Sequence, residues 1–137
     1  MEKVKIYHNP KCGTSRNTLK LLEHLGLQVE VIYYLDTPPT VAELTDLLAE
    51  MKMSPTALLR KNVPEYEQLN MAENRYSDQE LISKMVEIPI LINRPIVVTS
   101  LGTKLCRPSE EVLTILPIPL TEDFIKEDGE VIKANKV

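Results

Sequence analysis

The residues with the clearest chemical potential lie in one short stretch, YHNPKCGTSRNTL, residues 7–19. Cys12 occupies a glycine-containing turn in this stretch, and its neighbours in sequence include the polar or basic residues His8, Lys11 and Arg16. If the turn leads into a helix, the helix dipole and the unpaired N–H groups of its first turn would stabilise a thiolate. Such surroundings commonly lower a thiol pKa from about 8.5 to roughly 3.5–7.5. The stretch therefore predicts a reactive cysteine, with a small filler residue at a helix start as the alternative.

Three arginines elsewhere in the chain have the chemistry of oxyanion ligands. Arg94 and Arg107 each precede a proline, which restricts the backbone direction at that point, and Arg60 ends a predicted short helix. The planar fork of a guanidinium bonds two oxygens of a tetrahedral oxyanion at once. Their spacing alone does not distinguish this role from that of three solvated surface charges.

The elements that must position these residues follow from the hydrophobic pattern. Strands are predicted over 4–8, 29–35, 95–99 and 103–107, the last two as a hairpin. A helix follows the turn at 9–14 and stops at Gly26. The resulting order, β-α-β, a group of helices, then β-β-α, predicts a mixed sheet with helices on its faces. The capping residues predicted to start the later helices are Thr40 with Glu43, Ser54 before Pro55, Ser77 with Glu80, and Ser109.

Length and charge narrow the class of protein. At 137 residues the chain is expected to form a single domain, 1–137, with a helical insertion at about 40–88. The charged segment at about 118–137 is expected to be a less ordered surface tail. The formal net charge of −4 argues against binding to nucleic acid or to an anionic membrane surface.

The lack of a recognisable targeting signal and the small number of cysteines predict a protein of a reducing compartment. Charges and prolines interrupt every apolar stretch, so none is long enough to span a bilayer. The first ten residues, MEKVKIYHNP, lack the apolar core of a signal peptide. Two cysteines give no metal-ligand spacing and no disulfide framework, so we expect no metal and a cytoplasmic protein.

The chain resembles the glutaredoxin-dependent arsenate reductases, a family with a thioredoxin-like fold. The resemblance covers nearly the whole length, and its blocks occur in the family's order. It implies an α/β fold in which a mixed sheet is flanked by helices, with the helical insertion after the first β-α-β unit. The blocks are YHNPKCGTSRNTL, ALLRKNVPEYEQL, PILINRPIVVT, LGTKLCRPSE and KEDGE.

The resemblance also implies roles for individual residues. Cys12 corresponds to the family's nucleophile, and Arg60, Arg94 and Arg107 correspond to its oxyanion-binding arginines. Three further positions match supporting residues of the family. They are His8, a histidine thought to help keep the cysteine ionised, Ser15, a serine beside the cysteine, and Pro95, the cis-proline of thioredoxin-like folds.

The implied activity is reduction of arsenate to arsenite in arsenical resistance. Cys12 would attack the arsenic of arsenate, after which glutathione as co-substrate and glutaredoxin would supply the electrons. No bound cofactor is implied. We expect arsenate, glutathione and glutaredoxin as partners, no nucleic acid or membrane, and a monomer.

Several other functions share this fold or this chemistry. A redox-sensing transcriptional regulator of the Spx type, and a thiol-disulfide oxidoreductase, both need a second cysteine where Ser15 stands. A phosphatase-like arsenate reductase needs an arginine where Thr18 stands, and Arg16 comes two residues too early. A module that binds an oxyanion without chemistry remains open. Cys106, next to Arg107 in a predicted strand, is expected to face away from the site and to be structural.

Overall fold

The computed structural model describes residues 3–73 and 75–134. Its first elements are the strand, helix and strand that the sequence predicts: β1 is Lys3–His8, α1 is Gly13–His24 and β2 is Gln28–Tyr33. β1 and β2 are parallel throughout their length. The helix begins inside the predicted 9–14 turn, directly after Cys12, which is its N-cap residue.

The predicted hairpin near residue 100 completes a four-stranded sheet. β3 is Ile96–Thr99 and β4 is Gly102–Leu105, and the two strands are antiparallel. β3 also pairs antiparallel with β1, which gives the mixed strand order β2-β1-β3-β4. This confirms the predicted mixed sheet. β4 ends before Cys106, so Cys106 and Arg107 lie in the segment that follows the strand.

A single apolar cluster fixes α1 against the sheet. Val4 and Ile6 of β1 and Val97 of β3 have no exposed surface, as do Leu21 and Leu22 of α1. Burial of each of these side chains contributes roughly 1.5–3 kcal/mol. Because this cluster anchors both β1 and α1, it also sets the position of the loop between them, where Cys12 lies.

The residues between β2 and β3 form a separate helical unit, Tyr34–Asn93, and the predicted insertion at 40–88 falls within it. Both predicted capping boxes, Thr40 with Glu43 and Ser77 with Glu80, are present. No helix in the described ranges combines the length and the hydropathy that crossing a membrane requires. The helices of this unit are α2 (Val41–Met51), α3 (Pro55–Leu58), α4 (Pro64–Gln68) and α5 (Asp78–Glu87), with 3₁₀ turns at Met71–Glu73 and Pro89–Leu91.

The last helix differs from the prediction. It is a 3₁₀ helix, Ser109–Ile115, and its N-cap residue is Pro108 rather than Ser109. Ser109 lies inside the first turn, where its buried hydroxyl donates a hydrogen bond to the carbonyl oxygen of Thr14 at 2.9 Å. The serine therefore ties this helix to α1.

The segment expected to be a surface tail, 118–137, instead adds to the core. Two short antiparallel strands form a hairpin there, β5 (Phe124–Ile125) and β6 (Val131–Ile132). Leu120 and Ile132 are buried in the same cluster as Val97. Most of the charges that suggested a surface extension lie between these two apolar residues, which anchor the segment on either side of them. Residues 1–2, 74 and 135–137, which the domain and tail predictions included, lie outside the described residues.

Two isoleucines of the hairpin test this packing. Ile132 is 5% exposed and Ile125 is 67% exposed. Ile132→Ala should lower the free energy of unfolding by about 2–4 kcal/mol, because it leaves a cavity in the core. The matched variant Ile125→Ala should change it by less than about 0.5 kcal/mol. Urea denaturation of both variants measures the difference, and equal small effects would show that the hairpin is not part of the core.

Candidate active site

Backbone hydrogen bonds fix the turn that carries Cys12. Its N–H donates to the carbonyl oxygen of Asn9 at 3.0 Å, and its own carbonyl accepts from the N–H of Arg16 at 2.9 Å. The side chain is 7% exposed and lies at the positive end of α1. The backbone N–H of Ser15, in the first turn of the helix, donates to the sulfur. The thiol is thus placed where a thiolate is best stabilised.

Two of the predicted arginines lie beside this sulfur. Nη1 of Arg107 is 3.6 Å from Sγ of Cys12 and also donates to the carbonyl oxygen of Arg94 at 3.1 Å. The hairpin brings the two arginines together, since Arg94 precedes β3 and Arg107 follows β4. The N–H of Cys106 donates to the carbonyl oxygen of Pro95 at 2.9 Å, which holds the two segments side by side. The Arg94–Pro95 peptide bond is cis, as the resemblance implies.

These surroundings act on the thiol in opposite directions. Burial alone would raise the pKa of Cys12. The N–H of Ser15, the charge of Arg94, and the hydrogen bond and charge of Arg107 outweigh burial, so the pKa lies below its ordinary value. A lowered pKa means that the thiolate is fully present above the shifted midpoint and is lost only as the pH falls through it.

Alkylation measures this shift directly. The rate of reaction of Cys12 with iodoacetamide should rise with pH and reach its plateau with a midpoint below about 8.5, the value of a free thiol. Sulfate, as a tetrahedral anion, should slow the reaction by occupying the arginines. A midpoint at or above the free-thiol value would contradict the electrostatic account of the site.

The sulfur opens into a cavity of about 390 Å³. Its lining includes basic groups and, from the C-terminal hairpin, two carboxylates. It can accept a tetrahedral oxyanion beside the arginines and next to the sulfur. Its lining residues are Lys11, Cys12, Gly13, Thr14, Asn17, Arg94, Arg107, Glu127 and Asp128.

His8 lies close to the site but makes its hydrogen bond to a serine. It is 4% exposed, and its Nδ1 forms a hydrogen bond of 2.7 Å with Oγ of Ser15. The same oxygen accepts from the N–H of Asn9 at 3.1 Å. Burial and then the charge of Arg16 lower the pKa of His8, so its ring is neutral near neutral pH. An effect of His8 on Cys12 therefore passes through the position of Ser15, not through a positive charge on the ring.

The other cysteine is chemically distinct. Cys106 is fully buried in the core cluster, and its thiol donates to the carbonyl oxygen of Lys104 at 3.5 Å. Burial raises the pKa of Cys106 to about 12. Both cysteines are free thiols, and these surroundings favour the structural role predicted for Cys106.

The third predicted arginine, Arg60, lies outside the part of the chain that carries Cys12. Arg60 belongs to the helical unit, where its N–H donates to the carbonyl oxygen of Leu91 and its Nε to Oδ1 of Asn62. Its role in binding an oxyanion stays a prediction.

Two acidic residues of the cavity, Glu127 and Asp128, were not predicted from the sequence, because they lie in the segment interpreted as a tail. Their one sequence signal is the KEDGE block, which contains both.

Comparison with known proteins settles the family. Residues 7–115 match the profile of the ArsC family. The chain belongs to the ArsC family. It is 61% identical to the arsenate reductase of Yersinia enterocolitica and 58% identical to an arsenate reductase of Escherichia coli, in each case over 96% of this chain and 94% of the relative.

A solved structure agrees with this assignment of the ArsC chain. The arsenate reductase from Vibrio cholerae superposes with a TM-score of 0.80 and 44% sequence identity, over 84% of this chain and 98% of the other. The predicted thioredoxin-like fold is thereby confirmed. Cys12, Arg94 and Arg107 all lie directly beside the strand–helix and hairpin elements of this ArsC chain.

Proposed function

We propose that this protein is an enzyme that reduces arsenate to arsenite. The observation that carries the proposal is the thiol of Cys12 with Nη1 of Arg107 at 3.6 Å and Arg94 beside it, in one open cavity. The names of the relatives at 58–61% identity support the same substrate. A module that only binds an oxyanion needs the arginines but gains nothing from a thiol of lowered pKa.

The residues account for the first chemical step. Arsenate is anionic at neutral pH, so its approach to a thiolate is repulsive. The two arginines and the positive end of α1 offset that repulsion and stabilise charge as it develops. The sulfur of Cys12 forms a bond to arsenic, and one arsenate oxygen, once protonated, leaves as water.

Thiols supply the electrons in this proposal. Arsenic gains two electrons when it passes from arsenate to arsenite, and two thiols lose two electrons when they form one disulfide. Glutathione provides the second thiol as co-substrate, and glutaredoxin completes the thiol exchange. The lowered pKa of Cys12 favours this exchange, because a thiolate of low basicity is a good leaving group. We propose that the protein works in the cytoplasm, which is a reducing compartment, and that it acts as a monomer.

A coupled assay tests the function. The protein is incubated with arsenate, glutathione, glutaredoxin and glutathione reductase, and NADPH consumption is followed. We expect consumption that depends on arsenate and on each thiol component. If the folded protein binds sulfate or arsenate, as shown by protection of Cys12 from alkylation, yet consumes no NADPH, it is an oxyanion-binding module. If thioredoxin replaces glutathione and glutaredoxin at the same rate, the proposed electron source is wrong.

A further inference from the structure

The turn of the C-terminal hairpin contacts the first turns of α1. The carboxylate of Glu127, between β5 and β6, accepts from Nε of Arg16 at 3.1 and 3.0 Å through its two oxygens and from Nη2 at 3.0 Å. Its backbone N–H donates to Oδ1 of Asn17 at 3.0 Å, and Nζ of Lys20 lies 3.2 Å from the carboxylate. Three side chains thus hold Glu127 against the helix that starts at Cys12.

Arg16 extends this contact into the loop before the nucleophile. Its Nη1 donates to the carbonyl oxygen of Pro10 at 2.8 Å, two residues before Cys12. The guanidinium therefore bridges Pro10 and Glu127, and its rigid planar fork allows the carboxylate to fix the direction of the hydrogen bond to Pro10. Without Glu127, Arg16 has a long flexible stem and no partner that fixes this orientation from the hairpin side.

We propose that Glu127 is a positioning residue for Cys12, acting through the Arg16 guanidinium on the carbonyl of Pro10. In this arrangement the loop holds the sulfur where the N–H of Ser15 and Nη1 of Arg107 both reach it. The inference rests on the proposed function, since it deepens the account of the same site, but its effect on thiol reactivity is measurable without arsenate reduction.

The exposure of these two side chains allows an effect on the reactivity of Cys12 to be distinguished from an effect on folding stability. The side chains of Arg16 and Glu127 are 40% and 30% exposed. Ion pairs at such exposure contribute little to the free energy of folding. A displacement of a reacting group by about 1 Å, in contrast, can lower a rate by roughly a hundredfold. A positioning role therefore predicts a large change in reactivity with a small change in Tm.

The experiment compares the pH dependence of Cys12 alkylation by iodoacetamide in two isosteric variants. Glu127→Gln should raise the midpoint by about half a pH unit or more, because the sulfur loses part of its hydrogen bonding. Asp128→Asn removes an equal charge from the same turn, and its Oδ1 can still accept from the N–H of Glu130. Charge loss alone lowers a thiol pKa, so the control should shift the midpoint slightly downward or leave it unchanged.

A double-mutant cycle tests the route through Arg16. Arg16→Gln should raise the midpoint by more than Glu127→Gln, because it removes a positive charge near the thiol as well as the hydrogen bond to Pro10, and adding Glu127→Gln to it should raise the midpoint no further. In the coupled assay kcat should fall by about tenfold in each, with a smaller change in the KM for arsenate. Arg16→Lys, which keeps the charge but not the fork, is a second variant should Glu127→Gln fold poorly, and it should also raise the midpoint.

Three outcomes would overturn the inference. One is a midpoint in Glu127→Gln that is unchanged or falls as in Asp128→Asn. Another is a lowered Tm with an unchanged midpoint, which would assign Glu127 to anchoring of the hairpin alone. The last is additive shifts in the double variant. If the wild type shows the lowered midpoint and the variants behave as expected, but no arsenate is reduced, the proposed function fails and the positioning role stands.

Discussion

Cys12→Ser is expected to abolish arsenate reduction in a protein that remains folded. A hydroxyl has a far higher pKa than a thiol, so the N–H of Ser15 and the two arginines cannot ionise it at neutral pH. The variant keeps the cavity and its charges, and it should still bind the oxyanion. NADPH consumption in the coupled assay measures the loss, and sulfate or arsenate binding by calorimetry shows that the site persists.

Cys106→Ser is the matched control, with the same change of atom in a different environment. Because Cys106 is fully buried and its pKa is raised to about 12, it remains a thiol throughout the neutral range. Its replacement should keep most of the turnover and cost about 1–3 kcal/mol of stability, since a hydroxyl is placed in an apolar site. Mass spectrometry during turnover should find glutathione on Cys12. An inactive but folded Cys106→Ser, or a Cys12–Cys106 disulfide, would contradict an external second thiol.

Much of the fold could be predicted because local signals and burial agree. The capping boxes at Thr40 and Ser77 combine a hydroxyl with a glutamate three residues on, and both are formed. The apolar alternation in β1 and the short turn between β3 and β4 fixed those strands. The placement of Cys12 at a helix start followed from the glycine-containing turn alone.

The remainder depended on contacts between residues far apart in the chain. The charged composition of the C-terminal segment predicted a surface tail, yet its residues Leu120 and Ile132 are buried in the core. Glu127 of the same segment contacts Arg16, which is 111 positions away in the sequence. No local pattern encodes such a contact. The neutral state of His8 likewise depends on burial, which the sequence around it does not indicate.

Arg107→Lys is expected to lower kcat/KM for arsenate by roughly ten- to thousandfold, as for a lost transition-state donor. Arg107 makes two directed contacts from one guanidinium, to Sγ of Cys12 and to the carbonyl oxygen of Arg94. A lysine keeps the charge, but a single ammonium on a flexible stem cannot hold this geometry and also bind two oxygens of the substrate. The same variant should raise the alkylation midpoint of Cys12, because the hydrogen bond of Arg107 is one of the groups that lower its pKa.

Arg75→Lys controls for the substitution itself. Arg75 is an exposed arginine of the helical unit that pairs with Glu73, and its replacement should leave both kcat/KM and the alkylation midpoint unchanged. Steady-state kinetics over a range of arsenate concentrations, at one pH and ionic strength, compare the two variants with the wild type. Wild-type kinetics for Arg107→Lys would show that charge alone suffices at this position. A large loss of kcat/KM with an unchanged midpoint would mean that Arg107 acts on the oxyanion and not on the sulfur, so the two measurements together divide its contribution between substrate and nucleophile.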